Sequence, residues 1–208
     1  FETTSIGDPL LIIEHGFRVK RFPTCGVAHR GMDALLELLT AHAFTAEDVM
    51  QIDVHAPRVH FNNLMHEEPM DPLQAKFSME YGLASILLTG DCRLSDFTEE
   101  AVMRPEVRAL YPNIHRHPVD KSEGEFPTQV KVTLRDGRLL EAAVGMPLGS
   151  KVAPFSDVQY LAKFDACVEG FLAAEQARAL RESLETLDTL SSIADLTKHM
   201  VWRPAETA

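Results

Sequence analysis

Residues 129–144, QVKVTLRDGRLLEAAV, carry the pattern that decides the fold. Apolar and polar side chains alternate along the first half, with the period of two that places one face of a strand on a core. Asp136-Gly137 follows, at a point where a two-residue hairpin turn requires positive φ angles. A second apolar run comes after the turn. The sequence therefore predicts an antiparallel hairpin with one buried face.

Helix and strand signals are mixed in the part of the chain before this hairpin. Asp71-Pro72 is typical of a helix N-cap and first helical position, and Gly90 is typical of a helix end, so one continuous helix is expected between them. The periodicities of the remaining segments predict three further elements: a helix over residues 30–43, a half-buried strand over 49–56, and a short helix after Pro105.

Beyond residue 150 all the signals are helical. Ser156 and Gln159 form a capping-box pattern, and apolar stripes at helical spacing follow it. We therefore predict an α+β fold in which residues 1–150 form a two-layer domain, with a mostly antiparallel sheet and helices on one face. Residues 151–208 form an all-helical C-terminal segment, whose apolar stripes need another surface to cover them.

The composition excludes several classes of partner. The 208 residues have a net charge of −11, which argues against nucleic acid and anionic membranes as ligands. No apolar run reaches the roughly 18 residues that a membrane-spanning helix needs. The three cysteines are odd in number and far apart, which favours reduced thiols in a cytoplasmic protein over a disulfide framework. The chain starts at Phe1 rather than methionine, which suggests a processed product or a domain of something longer.

Common cofactor and metal motifs are missing from the sequence. It contains no G-x-G-x-x-G, Walker loop, G-x-S-x-G or H-E-x-x-H pattern. His115 and His117 would share one face of a strand and could bind a metal, but no third ligand has a fixed spacing to them. Solvated surface histidines are the favoured interpretation, and neither a metal nor another cofactor is predicted.

The segment KRFPTCGVAH, residues 20–29, is the strongest candidate for a site. No acidic residue occurs between Glu14 and Asp33, whereas four cations do: Arg18, Lys20, Arg21 and Arg30. A cleft of this sign would attract carboxylates. Within it, a thiolate at Cys25 near a helix N-terminus would be favoured, and His29 could exchange protons near neutral pH. The alternative is a surface loop with a buried cysteine and a capping histidine.

Three segments, in the same order along the chain, resemble motifs of the MmgE/PrpD family. They are KRFPTCGVAH (20–29), PLQAKFSMEYGLASILLTG (72–90) and PLGSKVAPFSDVQYLAKF (147–164). The resemblance covers nearly the whole chain and implies that it is the C-terminal portion of such a protein. It also implies an N-terminal helical domain, missing from this chain, on which residues 151–208 would pack.

The resemblance implies a metal-independent acid–base enzyme without a cofactor, acting on small di- or tricarboxylates. A dehydratase-like lyase, as in 2-methylcitrate dehydration, is the leading expectation. An epimerase of a dicarboxylate, as with iminodisuccinate, and a non-catalytic anion-binding fragment are the alternatives. Because other acid–base residues of the family lie in the helical domain, the isolated chain is expected to be inactive, and a homo-oligomer is expected for the complete protein.

Matched by position, Lys20, Cys25 and His29 are the predicted catalytic residues. Cys25 stands where family members carry Cys or His, and decarboxylase-like members carry His there. Arg21, the neighbour of Lys20 in the motif, and Lys76, in the second motif, are the predicted substrate-binding residues. No metal ligand is predicted.

Overall fold

The computed structural model describes residues 7, 10–122 and 124–201. The chain divides into two compact units, Phe1–Phe155 and Ser156–Ala208. The boundary between them lies close to the predicted domain boundary at residue 150.

Helices and strands alternate irregularly in the first unit, and helices follow in the second. The strands are β1 (Val49–Pro57), β2 (Ile114–Val119), β3 (Thr128–Leu134) and β4 (Leu139–Val144). The helices are α1 (Leu11–His15), α2 (His29–Ala41), α3 (Arg58–Asn63), α4 (Pro72–Ala75), α5 (Met79–Thr89), α6 (Glu99–Val102), α7 (Pro105–Arg108), α8 (Asp157–Val168), α9 (Ala174–Glu185) and α10 (Ile193–Thr197).

The four strands form one sheet in the order β2-β1-β3-β4. β3 is antiparallel to both β1 and β4, whereas β1 and β2 are parallel. The parallel pair is possible because α3 to α7 form the long crossover that such a connection needs. The predicted mixed fold with a mostly antiparallel sheet is confirmed; the parallel pair was not predicted.

Helices α2 and α5 pack together, and α2 lies on strands β3 and β4. They cover the sheet face that carries Ile52, Val54, Val130 and Val132, all buried. The two helices approach closely through a reciprocal contact. A Cβ atom on Gly31 would lie 2.9 Å from Sδ of Met79, and one on Gly82 would lie 3.0 Å from Sδ of Met32. Glycine is therefore the residue that lets each methionine pack against the opposite helix.

The opposite face of the sheet is polar, as the alternation predicts. Asp53 on β1 is opposite His115 on β2 and Lys131 on β3. The Lys131 ammonium lies 3.3 Å from the Glu141 carboxylate on β4. These pairs cross the sheet at right angles to its strands and keep charged groups in contact with opposite charges.

The hairpin of residues 129–144 forms, but its turn differs from the prediction. Gly137 has a φ of 89°, and among the described residues no side-chain-bearing position has a positive φ. Gly137 N donates to Leu134 O at 3.0 Å, and Leu134 N donates to Arg138 O at 2.9 Å. The loop thus contains three residues, with a single left-handed glycine at its last position. An Asp-Gly pair fits both a two-residue and a three-residue hairpin loop, so the sequence pattern does not tell them apart.

The prediction of one continuous helix between Asp71 and Gly90 is wrong. It is broken into α4 and α5, because Ser78 acts as a second N-cap: its side chain accepts a hydrogen bond from Tyr81 N at 3.1 Å. The apolar stripe is correspondingly interrupted. Leu73 is 68% exposed and Phe77 is 39% exposed, whereas Tyr81 is buried.

In the second unit, the described residues from 156 to 201 contain helices and no strand. Ser156 and Gln159 form the predicted capping box at the start of α8. The predicted all-helical segment of residues 151–208 is therefore confirmed in part, for residues 156–201. Within the described part of the chain, no helix combines the length and apolarity that a bilayer-spanning segment requires.

Candidate active site

Two backbone attachments fix the segment that carries Lys20. Val19 N donates to Gly149 O at 2.9 Å, so the residue before Lys20 is held against the 147–150 loop. Cys25 N donates to Lys76 O at 2.8 Å, which joins the other end of the segment to the end of α4. Pro23 lies between these two points and restricts the intervening backbone.

Gly149 is required for the first attachment. Its φ is 91°, and a Cβ atom at this position would lie 2.1 Å from Val19 O. Only a glycine permits both the left-handed backbone and the close approach. Asp33 adds a further tie, because its carboxylate accepts a hydrogen bond from Leu148 N at 3.0 Å.

These attachments enclose a cleft of about 230 Å³. The three predicted catalytic residues, Lys20, Cys25 and His29, all line it. The other lining residues are Arg18, Val19, Gly26, Val27, Arg30 and the loop residues 147–150. The lining therefore holds three cations and a histidine and no carboxylate, in a chain of net charge −11.

The Lys20 side chain folds back onto the backbone of the residues that follow it. Its Nζ donates to Thr24 O at 2.9 Å. An ammonium has three N–H groups, so this bond orients the amine and leaves two for a ligand. Lys20 itself is exposed, and its amine can therefore be reached from solvent.

Cys25 and His29 differ in burial. Cys25 is partly exposed, whereas His29 at the start of α2 is 2% exposed. The His29 ring makes an edge-to-face contact with Phe22, with 5.3 Å between the ring centroids. This contact fixes the orientation of the imidazole at the cleft wall. The cleft thus presents an exposed ammonium, a partly exposed thiol and a buried imidazole.

Arg21 and Lys76, the predicted substrate-binding residues, lie outside this lining. Arg21 Nη1 is 3.0 Å from the Asp33 carboxylate, and its guanidinium lies 5.1 Å from the Phe22 ring centroid. The Lys76 ammonium lies 5.8 Å from the Phe97 ring centroid. The structure places both side chains against other residues of the protein, and their substrate-binding role stays a prediction.

The histidines considered as metal ligands lie on the polar face of the sheet. His117 Nε2 is 2.6 Å from the Asp53 carboxylate, and the His117 ring stacks on His55 with 4.5 Å between centroids. Burial raises the pKa of Asp53, but hydrogen bonds from His117 and Gln51 outweigh this and lower it overall. Among the described residues, no three potential ligands are placed so that they could hold a metal ion.

The other lining residues of the cleft were not among the predicted site residues: Arg18, Val19, Gly26, Val27, Arg30 and the loop residues 147–150. The two arginines belong to the acid-free window between Glu14 and Asp33, so their charge was a signal that the sequence offered. The loop belongs to the third family-like motif, but nothing in the sequence indicates that it contacts the first.

Comparison with known proteins agrees with the resemblance seen in the motifs. The family model described as the MmgE/PrpD C-terminal domain matches residues 22–189. The chain belongs to the MmgE/PrpD family. The match begins two residues after Lys20 and includes Cys25, His29 and the loop residues 147–150 of the cleft.

Curated proteins to which the chain is similar include cis-aconitate decarboxylases. The chain is 26% identical to the one from Mus musculus over 159 residues, which is 74% of this chain and 32% of that protein. It is 25% identical to the one from Homo sapiens over 195 residues, covering 90% and 40%. For Aspergillus terreus the figures are 22% over 193 residues, covering 86% and 39%. This MmgE/PrpD chain therefore spans between a third and two fifths of these relatives.

Proposed function

We propose that this chain is the C-terminal part of a lyase that performs acid–base chemistry on a small di- or tricarboxylate. The observation that carries the proposal is the cleft lining of three cations, a thiol and an imidazole, with no carboxylate among them. In a chain of net charge −11 such a lining creates a local positive potential. Its volume of about 230 Å³ suits a small acid.

Lys20 is the residue proposed to act on the reacting carbon. Its amine is oriented by Thr24 O and retains two N–H groups directed away from that bond. In its neutral form the amine can take a proton from carbon next to a carboxylate, and as the ammonium it can stabilise the negative charge that forms there. Both roles require the amine to contact the substrate, and its place in the cleft wall supports that contact.

His29 and Cys25 are proposed to assist Lys20. His29 is held by Phe22 and buried, so its ring nitrogens have a fixed direction in which to donate or accept a proton. Cys25 is more accessible and could supply a proton or orient the substrate. In an elimination the proton is delivered to the leaving hydroxyl group, whereas in an epimerisation a proton returns to the carbon that was deprotonated. The atom that receives the proton therefore distinguishes the two reactions.

The lyase class is favoured over the epimerase because the curated relatives are named cis-aconitate decarboxylase. Dehydration of a 2-methylcitrate-like acid begins with removal of a proton from carbon next to a carboxylate, and the electron pair left there then expels hydroxide; loss of carbon dioxide likewise leaves an electron pair on carbon. The cation-lined cleft can stabilise the negative charge of that electron pair in either reaction. We place dehydration first, because Cys25 occupies the position at which decarboxylase-like members carry histidine.

The complete enzyme is proposed to need a further domain. This chain spans at most 40% of the relatives described above, and all the residues that line the cleft belong to the first unit. We propose that an N-terminal helical domain supplies the remaining acid–base groups, and that the complete protein forms a homo-oligomer. Turnover experiments should therefore use the complete protein.

The Lys20→Ala substitution in the complete protein tests the role of this lysine. We expect the turnover number to fall by a factor of about 10² or more, the usual loss on removing a general base or a charge-stabilising group. Solvent deuterium incorporation into the substrate should fall in parallel. Lys20→Arg separates the two roles, since it keeps the charge but cannot act as a base at neutral pH.

Lys131→Ala is the matched control, because Lys131 lies on the polar face of the sheet beside Glu141 and outside the cleft. It should leave turnover and deuterium incorporation unchanged. If Lys20→Ala behaves like Lys131→Ala, then Lys20 takes no part in the reaction. Binding of a carboxylic acid without any turnover or deuterium exchange would instead support the non-catalytic binding fragment.

A further inference from the structure

Three side chains on the polar face of the sheet join the interior strand β1 to the edge strand β2. His117 on β2 lies directly opposite His55 on β1, and their imidazole rings stack with 4.5 Å between the centroids and 16° between the planes. His117 Nε2 is also 2.6 Å from the carboxylate of Asp53, two residues before His55 on β1. One residue of the edge strand therefore contacts two side chains of the neighbouring strand.

The Asp53 carboxylate favours one proton on this pair of rings. Burial opposes the ionisation of Asp53, but the hydrogen bonds from His117 and Gln51 outweigh it and lower the pKa of this carboxyl group. Because an ionised carboxylate can only accept hydrogen bonds, His117 Nε2 carries the hydrogen of their contact. The contact becomes an ion pair when His117 is protonated. A first proton on the stacked pair is thus held beside a negative charge.

A second proton on the pair meets a different environment. It would place two positive imidazoles in stacking contact, and like charges this close repel each other. Burial lowers the pKa of His55, and the charges of His117 and Lys131 lower it further; the charges of Asp53 and Glu141 offset this only in part. His55 is therefore the imidazole that resists protonation, and its protonation weakens the stack.

The other charged and titratable groups around the pair come from all four strands. They are Asp53 on β1, His115 on β2, Lys131 on β3 and Glu141 on β4, and the Lys131 ammonium lies 3.3 Å from the Glu141 carboxylate. Ordinary carboxyl and ammonium groups do not titrate between pH 5 and 7, whereas imidazole does. The histidines are therefore the groups of this cluster whose charge changes in that range.

Strand β2 has other attachments that contain no histidine. On the opposite side of the strand, Arg116 Nη1 donates to Leu64 O at 2.6 Å. At the end of the strand pair, Arg58 Nε lies 2.6 Å from the Asp120 carboxylate. In the described part of the chain β2 pairs with β1 alone, so protonation of the stacked rings acts on the middle of a strand that is still held elsewhere.

We propose that the His55–His117 stack, together with Asp53, is an acid-sensitive contact that holds the edge strand β2 against β1 near neutral pH. When both rings are protonated, the stack separates and the middle of β2 loosens, while the Arg58–Asp120 pair keeps the end of the strand in place. This inference does not depend on the proposed reaction, because none of these residues lines the candidate cleft.

Amide hydrogen exchange of the complete protein, followed by mass spectrometry, tests the contact directly. Between pH 7.5 and pH 5, after correction for the intrinsic exchange rates, we expect the protection of residues 114–119 to fall by about tenfold. Strand β4, residues 139–144, contains no histidine and is separated from β2 by two strands. It is the internal reference, and its protection should change by less than about twofold.

His55→Phe is the deciding variant, because it keeps an aromatic ring for the stack and removes the second proton. Its β2 protection should be independent of pH in this range. Comparison with this variant also cancels the contribution of other groups, such as Glu80, whose pKa burial raises. If His55→Phe does not fold, His117→Phe serves instead, since it likewise leaves a ring pair that can accept only one proton.

Exchange of the imidazole C2 hydrogens, read by mass spectrometry, gives the pKa of His55 in the same protein. It should lie below the ordinary value of about 6.5. His117→Phe should raise it and Asp53→Asn should lower it further. Because the unfolded chain then binds the His55 proton more tightly than the folded protein, the free energy of unfolding falls as pH decreases through about 6.5. The stability advantage over His55→Phe should therefore be larger at pH 7.5 than at pH 5.

Three results would overturn the proposal. They are a loss of β2 protection that is the same in His55→Phe as in the unaltered protein, a loss that β4 shares equally, and a pKa of His55 at or above its ordinary value. The turnover of Lys20→Ala has no bearing on any of these readouts, so the acid-sensitive contact and the proposed reaction can fail independently of each other.

Discussion

Asp33 is the side chain that connects most parts of the site wall. It lies in α2, accepts hydrogen bonds from Arg21 Nη1 and from Leu148 N, each at 3.0 Å, and is largely buried. Burial raises the pKa of Asp33, and the bond from Leu148 and the charge of Arg21 offset this only in part. The ionised carboxylate therefore positions the 147–150 loop, but its burial lowers the free energy of unfolding once the group is ionised.

Comparison with Asp33→Asn should reveal this loss of stability in the pH dependence of the free energy of unfolding. Because the folded-state pKa of Asp33 is raised, the folded protein binds its proton more tightly than the unfolded chain, and ionisation lowers the free energy of unfolding as pH rises from about 4. The asparagine variant lacks this slope. In urea unfolding, the stability advantage of the unaltered protein over Asp33→Asn should be larger at pH 4 than at pH 7.

Asp136→Asn is the control for this measurement. The backbone hydrogen bond from Arg138 N lowers the pKa of Asp136, so its ionised form stabilises the folded protein and this contribution decreases as pH falls towards 4, which is opposite in sign to the effect of Asp33. An advantage of the unaltered protein over Asp33→Asn that grows toward pH 7 would mean that Arg21 and Leu148 stabilise the ionised Asp33 more than burial opposes it.

At the scale of elements, the 147–150 loop forms the cleft by lying against the segment before Lys20. Gly149 combines a φ of 91° with a Cβ position 2.1 Å from Val19 O, whereas Gly137 in the hairpin turn has a φ of 89° with no atom within 4 Å of its Cβ position. The two glycines share a backbone conformation and differ in the space around them. Alanine substitutions at the two glycines therefore distinguish the cost of the left-handed backbone from the cost of a steric contact.

Gly137→Ala and Gly149→Ala should differ in both stability and binding. Gly137→Ala carries the left-handed backbone cost alone, about 1–2 kcal/mol in the free energy of unfolding. Gly149→Ala adds the contact with Val19 O, so it should cost more and should also displace Lys20 and weaken glutarate binding by the complete protein. Urea unfolding and calorimetry measure the two effects. Equal stability losses, with glutarate binding preserved in both, would show that the loop contact does not shape the cleft.

Local signals explain which elements could be predicted from the sequence. The hairpin, α2, β1 and the capping box of α8 follow from side-chain periodicity and capping residues within a few positions of one another. The break between α4 and α5 was missed because Ser78 fits a helix interior as well as an N-cap until its hydrogen bond to Tyr81 N is seen. The parallel β1–β2 pair depends on contacts between distant residues, which periodicity does not encode.

The candidate site was predictable in part, because some of its residues are close together in the sequence. Lys20, Cys25 and His29 lie within ten residues, and the structure brings all three to one cleft. The charged window also contained Arg18, Arg21 and Arg30, but spacing alone does not tell which of them faces the cleft. The structure places Arg21 beside Asp33 and the other two in the cleft wall. Side-chain direction at a segment without regular secondary structure depends on its tertiary contacts.

At the scale of the whole molecule, a local positive potential coexists with an overall charge of −11. The net charge repels an anion at long range, and the cations of the cleft attract it within about one Debye length. Acidic residues elsewhere, such as Asp53 and Glu80, are paired with His117 and Arg116. This division keeps the negative charges outside the cleft lining and gives the chain one described place where a small carboxylate meets several cations.

The two compact units lead to a prediction about the chain as a whole. The first unit, Phe1–Phe155, contains the sheet, the helices that cover it and every residue that lines the candidate cleft. The second unit carries large exposed apolar side chains: Val158, Tyr160, Phe171, Leu184, Leu187 and Ile193. Apolar surface of this extent favours association with another surface. The sheet unit should therefore be the more independent of the two.

A chain that ends after Phe155 should keep the cooperative unfolding of the sheet unit, because its core residues, such as Val54, Val130 and Leu83, are contained within it. We expect its free energy of unfolding to lie within about 1 kcal/mol of that of the 208-residue chain, as for a domain with its own core. Binding of a hydrophobic dye should fall, because the exposed helix faces are removed. Urea unfolding followed by circular dichroism, together with dye fluorescence, measures both effects. Loss of the cooperative transition on truncation would show that the helices of the second unit complete the core of the first, and undiminished dye binding would place the accessible apolar surface on the sheet unit instead.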